Sequence, residues 1–381
     1  MSLSPLTRGS VRGSVPVARL HDAAAALQPA ARSVRRAAAR PSTWAVALGA
    51  MAALGASAWY VNRQRTRVEA ENPPTGHFVE VDGVRLHYTR HGDPAAPPLV
   101  LLHGMGMMGQ EMEMSGLVER AARQYHVFVF DRPGYGHSTR PSGRLYTPDE
   151  QARLFLQALT LLGVHRPVVL AHSWATLVAV AMAEQAPSEL KGLVLVGGYY
   201  TPAPRFDVLI NSLPALPLLG PLMANTLSPL LSRAIWGPTM WRVFSPGDSA
   251  VRRDFNARYP KWMTLRPLSI QTAAAEAAML IPSSVVQRAR HSRLQVPVVL
   301  VAGEHDRLIT SGWHSKRVQD RLPQSRLHIV PGAGHMVHHT DPDAVFDAVR
   351  EVSSLVTPDT PVDLAAPARV APEDIGLQPA A

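Results

Sequence analysis

The sequence predicts an α/β fold, a mostly parallel sheet covered by helices on both faces. Three observations lead to it. Short apolar runs without polar alternation, at 97–102, 126–130, 167–170, 192–196 and 296–301, read as strands buried on both sides. Stretches of helical periodicity separate them, so strand and helix alternate along the chain. Turns carrying serine, aspartate or histidine follow several of the runs, at the carboxyl ends of the strands, where such sheets place their sites.

The chain has 381 residues, 46% of them apolar, enough for one large domain with appendages. It contains no cysteine, which excludes disulfides, thiolate metal ligands and a cysteine nucleophile. The net charge of +9 is concentrated in residues 1–42, which hold seven arginines and one aspartate. The body has no basic cluster interleaved with aromatics, so no nucleic-acid partner is expected.

Taken in order, residues 1–42 form a basic arm rich in Ala, Arg and Ser that cannot build a core. A mitochondrial targeting segment has the same composition. Residues 41–62 are 22 positions without a charge. At 1.5 Å per residue the run reaches about 30 Å, the thickness of a bilayer core. Trp44 stands at one end and Trp59-Tyr60 at the other, as in an interfacial belt. Residues 43–61 are therefore read as a single membrane-spanning helix. The competing reading is the apolar region of a secretory signal cleaved after Ala58. The arginines ahead of the span keep the N-terminus in the cytoplasm and place the rest of the chain outside it, in the periplasm of a bacterium. Ala45, Gly49, Ala53 and Ser57 make a ridge of small residues on which two such helices would pair as a homodimer.

Residues 62–77 are expected to be a polar linker and 78–356 the folded domain. Strands at 78–81 and 84–88 flank Asp82-Gly83, a hairpin signal. Helices are expected around 109–123, 149–162, 174–186, 315–322 and 343–355, and a last strand at 326–330. Between about 200 and 294 the alternation stops. This apolar stretch, which carries Trp236, Trp241 and Trp262, is expected to be a helical cap that makes a greasy pocket over the strand ends. Residues 357–381, rich in Pro, Ala and acids, are expected to be a disordered tail.

Ser173 lies in Ala171-His172-Ser173-Trp174-Ala175, between a strand and an alanine-rich helix. A serine on a sharp strand-to-helix turn presents its hydroxyl, and the helix N-terminus favours negative charge beside it. A hydroxyl is a poor nucleophile at neutral pH and needs a base held by a carboxylate. Downstream, Asp306 stands in Gly303-Glu304-His305-Asp306, and His335 in Pro331-Gly332-Ala333-Gly334-His335, each just past a strand. Upstream, His103-Gly104-Met105-Gly106 ends another strand, and 131–138 reads Asp-Arg-Pro-Gly-Tyr-Gly-His-Ser.

These motifs resemble the α/β-hydrolase family, whose nucleophile elbow is small-x-Ser-x-small and whose triad runs Ser, Asp, His. Here both small positions are alanine, Ala171 and Ala175. The resemblance implies Ser173 as nucleophile, His335 as base and Asp306 as its orienting acid. It also implies an oxyanion hole from the backbone N–H groups of Met105 and Trp174. It implies no cofactor, and neither a metal-ligand spacing nor a dinucleotide fingerprint is visible. Glu304, His338 and His339 are of the right types but off the family's positions. His172 is expected to point away from the nucleophile, and Ser138 has no elbow around it. Of Met105, Met107, Met108, Met112 and Met114, several are expected to line an acyl pocket. The function implied is a membrane-anchored serine hydrolase, esterase- or lipase-like, acting on a small apolar carboxylic ester. Amidases, carbon–carbon bond hydrolases and cofactor-free haloperoxidases share the triad, and a catalytically silent binding protein would share the fold. Haloalkane dehalogenases and epoxide hydrolases carry aspartate at the elbow, which Ser173 argues against.

Overall fold

The computed structural model describes residues 42–322 and 324–355. Almost all of the expected basic arm, and the expected tail, lie outside these. The chain divides into two units, Met1–Ala56 and Ser57–Ala381. Helix α1, Thr43–Glu71, begins in the first and ends in the second. Among the described residues it is the one single helix long and apolar enough to cross a membrane.

The expected linker at 62–77 is corrected by this helix, which continues to Glu71. The reasons are local. Residues 62–71 are mostly Arg, Gln, Glu and Ala, good helix formers. Arg67 and Glu71 pair one turn apart at 2.7 Å. Val61 and Val68 are buried, and Pro73-Pro74 ends the run.

The second unit is built on eight strands. They are β1 His77–Val81, β2 Val84–His91, β3 Pro98–Leu102, β4 His126–Phe130, β5 Val168–His172, β6 Gly192–Val196, β7 Val298–Gly303 and β8 Arg326–Val330. Their order in the sheet is β1-β2-β4-β3-β5-β6-β7-β8. β2 pairs antiparallel with β1 and β4, and every other pair is parallel. Asp82 and Gly83 turn the first hairpin with φ of 48° and 73°, the left-handed pair that a two-residue hairpin loop requires. Side chains alternate between faces along a strand. Val100, Leu102, Val169 and Ala171 enter one core, and Leu99, Leu101, Val168 and Leu170 enter another. Both faces are buried, which is why these strands read as unbroken apolar runs.

The helix expected around 109–123 is two, α2 Gln110–Met114 and α3 Leu117–Ala121, split by Gly116 at φ 78°. Met112 is core beneath the sheet rather than pocket lining. Met107 and Met108 join Met240, Phe244 and Met263 in a third apolar cluster. α4 Pro148–Leu161 starts on Thr147, whose hydroxyl accepts the Glu150 N–H at 3.1 Å. It packs with α5 Ala175–Gln185 on one face of the sheet. Six α-helices lie between β6 and β7: α6 Phe206–Asn211, α7 Leu219–Asn225, α8 Leu227–Phe244, α9 Ser249–Arg258, α10 Lys261–Thr264 and α11 Pro267–Arg288. After β7 come α12 Ser315–Arg321, α13 Val337–Thr340 and α14 Pro342–Ser354. α14 packs with α3 on the other face.

Candidate active site

β5 ends at His172 and α5 begins at Ala175. The turn between them is so tight that Ser173 takes φ 54°, a left-handed conformation disfavoured for a residue with a Cβ. The surroundings hold it there. Its N–H donates to the Val196 carbonyl at the end of β6, at 2.8 Å. Its carbonyl accepts from the N–H and the hydroxyl of Thr176, at 3.1 and 2.7 Å. The loop after β3 passes so close that a Cβ on Gly104 would lie 3.2 Å from the Ser173 Cβ.

The structure brings the three separated residues into one line. His335 Nε2 lies 3.0 Å from Ser173 Oγ, and His335 Nδ1 lies 2.7 Å from Asp306 Oδ2. The other oxygen of Asp306 accepts the N–H groups of Leu308 and Ile309, each at 2.8 Å. One carboxylate oxygen is thus fixed on the backbone and the other faces the imidazole. That arrangement favours the Nδ1–H tautomer and leaves Nε2 free to accept the serine proton. Asp306 and His335 are buried and Ser173 is half-buried. The N–H of His335 donates to the Val243 carbonyl of α8 at 2.9 Å, so a helix inserted between β6 and β7 holds the histidine loop. Met105 and Trp174 directly follow Gly104 and Ser173. Among the described residues no acceptor takes the backbone N–H of either.

The sequence profile of the alpha/beta hydrolase fold family matches residues 97–342. The chain belongs to the α/β-hydrolase fold family. A putative carbamate hydrolase, RutD, of Cronobacter sakazakii is 28% identical over 274 residues, covering 68% of this chain and 91% of the relative. Among solved structures, a bacterial membrane phospholipase A is similar with a TM-score of 0.56 at 21% identity, over 81% of this chain and 95% of the other. The enol-lactonase of Burkholderia xenovorans LB400 has a TM-score of 0.61 at 18% identity, over 73% and 100%. At such identities the structural likeness shows the fold alone. The protein is a hydrolase of this fold.

Other residues of this α/β-hydrolase that the sequence singles out lie elsewhere. Glu304 is exposed and accepts the Gly332 N–H at 3.0 Å. Ser138 donates to the Asp131 carbonyl and accepts the His87 N–H. His172 turns from the nucleophile, with Nε2 3.2 Å from the His335 carbonyl. His338 and His339 both meet Glu111, with Nε2 atoms 2.8 and 3.0 Å from its Oε2. Burial pushes the Glu111 carboxyl up, but the two histidines outweigh it and hold the group well below the usual range. Burial, with His338 and His335 nearby, holds His172 well below the usual range and so neutral.

Glu111, His172 and His338 each offer a ligand atom within 4.8 Å of the others, the one such group among the described residues. Glu111 Oε1, His172 Nδ1 and His338 Nδ1 have no hydrogen-bond partner. The two ring nitrogens of an imidazole point away from each other, so a His338 whose Nε2 meets Glu111 aims Nδ1 elsewhere. A cation held by all three residues would displace the Glu111–His338 contact.

Arg132, fully buried, was invisible as a connector in the sequence. It forms a forked ion pair with Glu276 of α11. Its Nε donates to the His103 carbonyl at 2.8 Å, and its N–H donates to His103 Nε2 at 3.0 Å. The guanidinium lies 4.9 Å from the ring centres of both Tyr135 and Trp174. Tyr135 donates its hydroxyl to Glu276 at 2.7 Å, and the Trp174 indole N–H donates to the Glu276 carbonyl at 3.1 Å. Burial first, and Arg132 second, lower the His103 pKa to about 4. A neutral His103 fits its contacts, with Nε2 accepting and Nδ1–H donating to the Gly104 carbonyl at 2.8 Å. One ion pair therefore links α11 to the loop that carries Met105.

Proposed function

We propose that the protein is a serine hydrolase that cleaves carboxylic esters of apolar acyl groups through an acyl-enzyme on Ser173. The observation that carries this reading is the Ser173–His335–Asp306 line, with contacts of 3.0 and 2.7 Å. In this reading Ser173 Oγ attacks the ester carbonyl carbon while His335 Nε2 takes its proton. The N–H groups of Met105 and Trp174 receive the oxyanion. As the tetrahedral adduct collapses, the carbon–oxygen bond to the alcohol breaks, and the alcohol leaves with the proton from His335. Water then attacks the acyl-serine, gives its proton to His335, and releases the acid and free Ser173. Asp306 holds the His335 Nδ1–H throughout and supports the imidazolium.

The apolar helix α1 is read as a membrane anchor, with the hydrolase unit on the side opposite the arginine-rich arm. A second reading is carbamate cleavage, favoured by the 28% identical relative of that description. It uses the same attack on a carbonyl. The test is a fluorophosphonate probe, which should label the wild-type protein and spare Ser173→Ala, followed by hydrolysis rates over a series of acyl-chain lengths and matched carbamates. Absence of labelling in a folded wild-type protein refutes the nucleophile.

A further inference from the structure

Within the second unit, residues 208–232 run 25 positions without a charge. Eleven large apolar side chains between Leu209 and Trp241 are exposed. Leu218 is 92% exposed and Ile210 71%, and Leu209, Leu222, Leu231 and Ile235 each about half or more. They are carried by α6, α7, α8 and the segment that joins α6 to α7, and all three helices pack against α11. Single exposed leucines need no explanation, but soluble monomers rarely show a patch of this extent. The segments 207–215 and 219–225 are apolar enough together to pass for a span, yet they meet at 97°. Helices of this length reach only about 10 Å, far short of the ~30 Å of a bilayer core. They suit a surface in contact with lipid, not a crossing.

A second observation says which surface. The last turn of the uncharged run is part of this unit and meets the junction of α7 and α8 and, beside it, α10. Ser57 Oγ donates to the Thr226 carbonyl between α7 and α8, at 2.8 Å. Tyr60 packs edge-on against Trp262 at 5.9 Å, and Val61 is 2% exposed. If the run reaches the membrane boundary at residue 61, what it packs against is at that boundary too. The charges that border the apolar stretch fit this. Arg233 is exposed, and Arg205 carries Asp207 at 2.5 Å as its own partner, so the unpaired excess is cationic, as anionic headgroups require.

The geometry points to α6, α7 and the first half of α8 as a lipid-docking face that rests in the headgroup region of the bilayer holding α1. The far end of α8 holds the His335 loop through Val243. α8 thus connects the docked face to the candidate site, and the substrate is an acyl ester resident in the membrane. This last step rests on the ester reading above; the docking face does not.

The absence of cysteine makes the test clean. In full-length protein reconstituted into phosphatidylethanolamine–phosphatidylglycerol vesicles, Ile210→Cys, Leu218→Cys and Ile235→Cys carry an environment-sensitive fluorophore one at a time. Leu145→Cys, an exposed position outside these helices, is the control. Nitroxide lipids with the quencher near the headgroup should quench the three probes several-fold more than the control. Equal quenching at all four overturns the proposal. Protection from aqueous iodide without lipid quenching also overturns it, because a second copy then covers the face. In the same vesicles Leu218→Glu with Leu222→Glu should lower hydrolysis of p-nitrophenyl palmitate several-fold and leave soluble p-nitrophenyl acetate unchanged. Loss of neither rate, with lipid quenching intact, overturns the membrane-resident substrate but not the docking face. A wild-type protein inactive on both esters fails the ester reading alone, since quenching is read without turnover.

Discussion

A serine held at φ 54° costs of order 1–3 kcal/mol of backbone strain, and three hydrogen bonds around Ser173 hold it there. Alanine would suffer the same strain and lose only the hydroxyl. Ser173→Ala should therefore keep its thermal melt while hydrolysis of a p-nitrophenyl ester falls by roughly three orders of magnitude or more. His335→Ala should fall nearly as far, and the double variant little further, because the pair acts as a unit. Asp306→Asn should cost less than either single change, by misdirecting the imidazole tautomer. These three residues were legible as a candidate group because each follows the carboxyl end of a strand, and the sheet brings strand ends together. Glu111, His172 and His338 were not. They come from three distant segments, and no spacing rule joins them.

At the scale of elements, what was readable and what was not follows the range of the interaction. Strands β3 to β7 were legible because burial on both faces removes the polar alternation that would have obscured them. The extension of α1 to Glu71 was carried by helix formers and one Arg67–Glu71 pair, local signals outvoted by polarity. The Arg132–Glu276 link joins residues 144 positions apart, and nothing in either neighbourhood announces it. Its energetics can be tested. Removing one partner of a fully buried ion pair leaves a charge without compensation and typically costs about 3–5 kcal/mol. Glu276→Ala should lower the denaturation midpoint accordingly. Replacing both partners, as Arg132→Met with Glu276→Leu, should recover much of that stability. It should not recover the rate if the pair positions the loop carrying Met105. Hydrolysis that returns in step with stability would assign the pair to packing alone.

At the scale of the whole molecule, acid should loosen the fold before it reaches the carboxylates. Burial, as the chief cause, lowers the pKa of His103, His291 and His314 to about 4. An unfolded histidine binds its proton near 6.5. Between those values the unfolded chain takes protons that the native one refuses, so stability falls as pH drops from about 6.5 to about 4, by on the order of 3 kcal/mol per histidine. Melting temperatures of detergent-solubilised protein should decline through that window, and a level profile would mean that these side chains are already hydrated in the native state. The membrane reading is tested at the same scale. Alkaline carbonate should leave the full chain in the membrane fraction, with its N-terminus uncleaved on sequencing. A soluble chain beginning at Trp59 would instead establish a signal peptide. Protease added to spheroplasts should digest the hydrolase unit, and protection of that unit would reverse the orientation. The place to cut is set by α1. Removing residues 1–66 strips Tyr60 and Val61 from the helices they pack on. Removing residues 1–56 follows the division between the two units. The shorter deletion should yield the more stable active protein, and equal melting temperatures for the two would show that the last turn of the apolar run contributes nothing to the fold.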